Sequence, residues 1–114
     1  MFPRAERLRK RRDIQRTIAK GRRVSDQFLL VRTMPLLAPG PRVTVVVGTV
    51  VDKRATVRNK IKRQLRVDLR QALAKRPLSS SGIAIMVSVK RPILQCSAIA
   101  RKASLQALLS RSGL

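Results

Sequence analysis

Histidine, tryptophan and tyrosine are absent from this sequence, and cysteine occurs once. Without histidine the usual agent of acid–base catalysis near neutral pH is missing. One thiol and no imidazole also leave almost no ligands for zinc. Cys96 alone excludes an intramolecular disulfide and reads as a buried structural thiol. Phe2 and Phe28 are the only aromatics, too few for a platform on which nucleobases stack. Acids are almost as scarce: Glu6, Asp13, Asp26, Asp52 and Asp68. None is spaced to pair with another. Asp13 and Asp26 suit caps or turns, and Asp68 suits pairing with arginine. The polypeptide is therefore not expected to be a catalyst by itself, and no catalytic residue is assigned. Long apolar runs are missing too. No segment could span a bilayer, and "MFPRAERLRKRR" has no apolar stretch of signal-peptide length, so the expected compartment is the cytoplasm.

Positive charge is what the chain has in excess. Lys and Arg number 27, and the formal net charge is +22 over 114 residues, a length that suits one domain. With 44% hydrophobic residues the chain can bury a core. A compact body so charged repels itself and gains from a polyanion. Nucleic acid fits first, because each phosphate neutralised releases condensed counterions.

The elements follow in order. "RAERLRKRR", residues 4–12, has no strong periodicity and reads as part of a flexible basic arm spanning residues 1–12. "DIQRTIAKG", residues 13–21, places Ile14, Ile18 and Ala19 on one side of a short helix, with Asp13 in its first turn and Gly21 at its stop. "FLLVRTMP", residues 28–35, and "RVTVVVGTVV", residues 42–51, read as strands, the second bending at Gly48. The Pro/Gly loop between them suggests an antiparallel hairpin. A third short strand fits residues 49–51. "IAIMVSV", residues 83–89, reads as a buried central strand. "RPILQCS" reads as a loop. From Ser97 a final amphipathic helix offers Ile99, Ala103, Leu105, Leu108 and Leu109 to the core. The expected class is α+β, helices layered on one small sheet.

The informative segment is "ATVRNKIKRQLRVDLRQAL", residues 55–73. Val57, Ile61, Leu65, Leu69 and Leu73 recur every fourth residue and mark the inward face of a helix, with Thr56 its expected N-cap. Successive residues turn by ~100°, so Arg58, Lys62 and Arg66 stack in one stripe with Asn59, Arg63 and Arg70 beside it. Like charges at this spacing repel, and Asp68 is the one acid in the segment. Such a rail suits consecutive phosphates of an RNA backbone, and Asn59 suits a base edge or 2′-hydroxyl.

Within it, "KRATVRNKIKRQLR", residues 53–66, resembles the signature of the bacterial ribonuclease P protein subunit. There an Arg-Asn-basic triplet precedes a Lys-Arg pair and a later Arg, which are here Arg58, Asn59, Lys60, Lys62, Arg63 and Arg66. Lys60 stands where the family usually has Arg. "RLRKRRDIQRTIAKGRR", "RVTVVVGTVV" and "GIAIMVSVKRP" agree in order with the family's first helix, central strand and later strand.

The resemblance implies a two-layer, ribosomal-protein-like αβββαβα sandwich on a small mixed sheet, with a left-handed βαβ crossover where the general rule gives a right-handed one. It also implies a monomeric accessory, one protein to one RNA. That ribonuclease P RNA uses magnesium ions, bound chiefly by RNA and substrate, to remove the 5′ leader of precursor tRNA. No protein-bound metal site is assigned. RNA contacts are expected from Arg58, Asn59, Lys60, Lys62, Arg63, Arg66 and Arg70, joined by Lys53, Arg54, Arg7, Arg11 and Arg12. A cleft between the first helix and the sheet would hold the leader, and position by position it carries over to Ile14, Ile18, Leu29 and Val31. Those four are aliphatic where the family is often aromatic, and Thr49 and Val50 replace two common lysines. A ribosomal protein or RNA chaperone would share the charge and the α+β class, but would not stimulate tRNA processing. A membrane-active polyanion binder fits less well, since the helix lacks aromatic anchors.

Overall fold

Three largely apolar strands and one polar edge strand build one sheet, described here from a computed structural model covering residues 7–36, 40–75 and 82–114. The order is α1 (Arg11–Lys20), β1 (Arg22–Ser25), β2 (Leu29–Leu36), β3 (Pro41–Val46), α2 (Ala55–Ala74), β4 (Gly82–Val89), a 3₁₀ turn (Arg91–Gln95) and α3 (Ala98–Arg111). The strands lie in the order β1-β2-β4-β3. β1 and β2 are antiparallel, β2 and β4 antiparallel, and β3 and β4 parallel. This is the mixed α+β sheet and αβββαβα order expected, and α2 is the crossover that joins the parallel pair.

Two pairings differ from expectation. The segment at 28–35 does not form a hairpin with that at 42–51, because β4 lies between them. β4 is the strand apolar on both sides. Ile85, Val87 and Val89 enter the main core while Ala84 and Met86 join a smaller cluster opposite. Such a strand belongs in the middle of a sheet. The hairpin instead joins β1 to β2, and its turn is made by Asp26, whose Oδ1 accepts the N–H groups of Phe28 (2.8 Å) and Leu29 (3.0 Å). The third strand is thus residues 22–25, and residues 49–51 form a turn in which Val51 N donates to Gly48 O (3.1 Å). β3 ends at Val46, before the bend foreseen at Gly48.

The main core lies between the sheet and the helices α2 and α3. It includes Leu29, Val31, Val43 and Val45 from the strands, Ile61, Leu65, Leu69 and Leu73 from α2, and Leu105, Leu108 and Leu109 from α3. α1 lies across the other face of the sheet, where Ile14 packs with Leu8, Ala84, Met86, Met34 and Leu36. Strand alternation separates these sets: odd-numbered residues of β2, β3 and β4 face α2 and α3, and even-numbered ones face the α1 side.

Helix ends follow local chemistry unevenly. Ser97 caps α3, its Oγ accepting from Ala100 N (3.1 Å). Ile99 and Ala103 of that helix are exposed rather than in the core. α2 begins one residue before Thr56, and its N-cap Arg54 makes no side-chain cap bond. Gly21 ends α1 because a Cβ there would lie 2.3 Å from Thr17 O, too close for any other residue without displacement. Segment 91–97, expected as a loop, contains the 3₁₀ turn that buries Ile93. Cys96 is half-buried against the core, and burial pushes its thiol above its ordinary pKa, partly offset by Arg101.

The basic arm is more ordered than its composition suggests. Leu8 is 4% exposed, its N–H donates to Val43 O at 2.7 Å, and Arg7 bridges Val43 in parallel. Residues 7–10 therefore lie along the outer edge of β3, which covers an edge otherwise open to pairing. Arg11 and Arg12 already belong to α1. The expected flexibility is corrected for residues 7–12, and residues 1–6 lie outside the described residues. So do residues 37–39 and 76–81, within the two connections foreseen as turn-rich.

Candidate nucleic-acid interface

α2 carries the basic rail because its apolar stripe must face the core. Ile61, Leu65, Leu69, Ala72 and Leu73 are buried, which forces the intervening residues outward. Asn59, Lys60, Arg63 and Arg70 are exposed, and Arg58, Lys62 and Arg66 lie beside them, Lys62 and Arg66 half-buried. The rail does not end with the helix. Arg66 shares a pocket with Arg7, Leu8, Arg9 and residues Val43, Thr44 and Val45 of β3. The N-terminal segment thereby extends the basic surface across the β3 edge. Arg9 was not foreseen at this surface, and its place in a basic run was the one signal for it.

The other expected contacts divide. Arg54 is exposed and is held by Asp52, its Nη2 3.1 Å from Oδ2 and its Nε 3.2 Å from Oδ1. These bonds from the Arg54 side chain and backbone N–H hold the Asp52 carboxyl below its ordinary pKa. Arg58 folds back on the preceding loop, donating from Nη1 to Asp52 O (3.0 Å) and Lys53 O (2.8 Å). It secures the start of a helix that has no side-chain cap. Lys53 is exposed at the same corner. Arg11 and Arg12 are exposed on α1, which packs on β2 and β4 on the sheet face away from α2.

Asp68 and Asp26 are turned away from the rail. Asp68 is buried at 5% exposure and pairs with Arg101 of α3 through Nε, while Arg101 Nη1 donates to Gln64 Oε1 (3.3 Å). Asp26 accepts from Ser104 Oγ of α3 in addition to its turn bonds, and Lys90 Nζ donates to its backbone oxygen (2.7 Å). Partial burial of the Asp26 carboxyl opposes ionisation. The bonds from Ser104, Leu29 and Phe28 and the charge of Lys90 outweigh it, so the group lies below its ordinary value of 3.8. A depressed carboxylate adds stability that is complete above that ordinary value and is lost as pH falls through the folded one. Thermal unfolding followed by circular dichroism should therefore show Tm falling as pH drops below about 4. Asp26→Asn should lower Tm at neutral pH and flatten that acid limb. An unchanged limb would exclude Asp26 as a source.

The cleft assignment needs correction on β2. Leu29 and Val31 are each 0% exposed and face α2 and α3 in the main core, so neither lines the α1 side. The residues of β2 that do are Leu30, Arg32 and Met34, one position along. A shift of one residue in a strand moves a whole set to the opposite face. "FLLVRTMP" hides the phase because both of its faces begin apolar, and Arg32 was the mark of the open side. Ile14 and Ile18 of α1 lie where expected, Ile14 half-buried and Ile18 45% exposed.

Among the described residues no group of three His, Cys, Asp or Glu could hold a metal ion, and no helix is long and apolar enough to cross a membrane.

Known proteins resemble the chain along most of its length. A sequence model of the ribonuclease P family matches residues 2–113. The ribonuclease P protein component of Cyanothece sp. is 33% identical over 112 residues, covering 84% of this chain and 83% of that one. That of Pseudanabaena sp. is 36% identical over 90 residues, covering 78% and 75%. The solved RNase P protein of Staphylococcus aureus superimposes with a TM-score of 0.80 at 25% identity and covers 96% of both chains.

Proposed function

Because this chain belongs to the ribonuclease P protein family, we propose that its α2 rail holds the catalytic RNA while the α1 side of its sheet receives the 5′ leader of precursor tRNA. The RNA–protein complex is the endoribonuclease, and this polypeptide is its non-catalytic component. The observation that carries the assignment of surfaces is the continuity of the basic face. Asn59, Lys60, Arg63, Arg66 and Arg70 of α2 continue into Arg7 and Arg9, while Asp26, Asp52 and Asp68 are each turned to partners of their own. A polyanion laid along it meets donors and positive charge with few carboxylates to repel it.

The opposite side of the sheet is a separate surface. Ile14, Met34 and Leu36 pack there, and by strand alternation Leu30 and Arg32 share that partly apolar side, which suits a single strand with splayed bases. One body can then bind the RNA subunit on α2 and the leader beside α1, one protein to one RNA, and so raise the affinity for precursor over mature tRNA. Magnesium, which supplies the Lewis acid and activates water in such hydrolysis, is assigned to RNA and substrate. The protein's part is to neutralise phosphate charge around them. A bacterial enzyme acting on precursor tRNA would work in the cytoplasm.

The deciding experiment is cleavage of a labelled precursor tRNA by a bacterial ribonuclease P RNA at low magnesium, with and without the protein. Stimulated cleavage at the 5′ end of the mature tRNA is expected. Binding of the RNA with cleavage unchanged would overturn the reading.

A further inference from the structure

On the α1 side of the sheet Arg32 is half-buried with its hydrogen-bonding needs unmet. Its Nε is buried and has no hydrogen-bond partner, and its Nη1 reaches only Ser88 Oγ at 3.4 Å. A buried donor left unpaired is costly. Its cross-strand partner is Arg23 of β1, so two arginines occupy directly opposite positions on one face, an arrangement that disfavours the free protein. Among the described residues neither has a carboxylate partner, since the carboxylates of Asp52 and Asp68 serve Arg54 and Arg101. No aromatic among the described residues shares the face, because Phe28 packs against the main core.

We infer that Arg32 and Arg23 clamp one backbone phosphate of the leader, so that this chain holds its substrate electrostatically where relatives with aromatic clefts would stack bases. The inference rests on the leader-binding reading above and specifies its chemistry. A phosphate supplies what the site lacks: an anion between two like charges, with acceptors for the outer guanidinium nitrogens. The guanidinium fork matches two phosphate oxygens at once. Recognition by backbone charge is indifferent to leader sequence and sensitive to salt.

The test uses the reconstituted holoenzyme and compares precursor with mature tRNA. Arg32→Ala should weaken precursor binding about tenfold, leave mature tRNA binding unchanged and reduce the salt slope by about 0.7. Precursors carrying one methylphosphonate linkage at successive leader positions locate the phosphate. One position should cost the unaltered protein a similar factor and cost Arg32→Ala nothing more. Arg32→Lys, which keeps the charge without the fork, should fall between. Equal loss for precursor and mature tRNA in Arg32→Ala would overturn the clamp. If Ile14→Ala and Ile18→Ala lower precursor affinity while Arg32→Ala does not, the clamp is wrong and the leader reading stands. If none of the three separates precursor from mature tRNA, both fall.

Discussion

Replacing Arg58, Arg63 and Arg66 together by alanine is expected to weaken binding of the ribonuclease P RNA by two to three orders of magnitude at low salt, at roughly 1 kcal/mol or more for each guanidinium removed. The log–log dependence on salt should become shallower by roughly 2 to 3, close to 0.9 for each phosphate no longer neutralised. The three do not contribute alike. Arg63 is exposed on the rail, Arg66 borders the pocket shared with Arg7 and Arg9, and Arg58 holds the backbone carbonyls of Asp52 and Lys53. Arg58→Ala should therefore lower thermal stability as well as affinity, while Arg63→Ala should change affinity alone. Filter binding across a salt series, with melting curves for each variant, separates the two effects. A triple variant that binds with the original slope would remove α2 from the interface.

Asp68→Ala is expected to be the most damaging single change to stability. It leaves Arg101 at 13% side-chain exposure with its ion-pair partner gone, and removing one partner of a buried pair costs about 3–5 kcal/mol. For a chain of this size that corresponds to a fall in Tm of at least ~10 °C. The pair joins α2 to α3, so its loss also frees the helix that carries the basic rail from the one behind it. Asp68→Ala combined with Arg101→Leu should recover part of the loss, because no unpaired charge then remains. A Tm within two or three degrees of the parent, an interval on the order of 0.5 kcal/mol, would show that the pair contributes little.

Much of the proposed interface could be read from residues 55–73 alone, since the four-residue spacing of Val57 to Leu73 dictates which side is buried, and most of what is not buried there is basic. β4 was legible for the same kind of reason: the run "IAIMVSV", with one polar side chain, belongs in the middle of a sheet. β1 was not. "RRVS" has two arginines and one apolar residue, and it becomes a strand only because β2 offers it an edge and Asp26 closes the turn between them. The order of β2, β4 and β3 was equally hidden, because the Pro/Gly loop after residue 34 resembles a hairpin connection and does not reveal that a later strand will occupy the space between. The residues of β2 that face α1 were misplaced by one position, since an apolar stretch supplies a strand without the phase that says which face is inside.

By itself, the sequence determined the class of partner, the two-faced helix and the shortage of acid–base groups. These rest on composition and on neighbours three or four residues apart, whose geometry a helix imposes locally. Only the tertiary structure decided which strands pair, that Asp68 answers Arg101, that residues 7–9 join Arg66, and that Arg32 rather than Val31 looks toward α1. Each of those depends on contacts between residues distant in the chain, where local periodicity carries no information and the burial of both faces of β4 settles the arrangement.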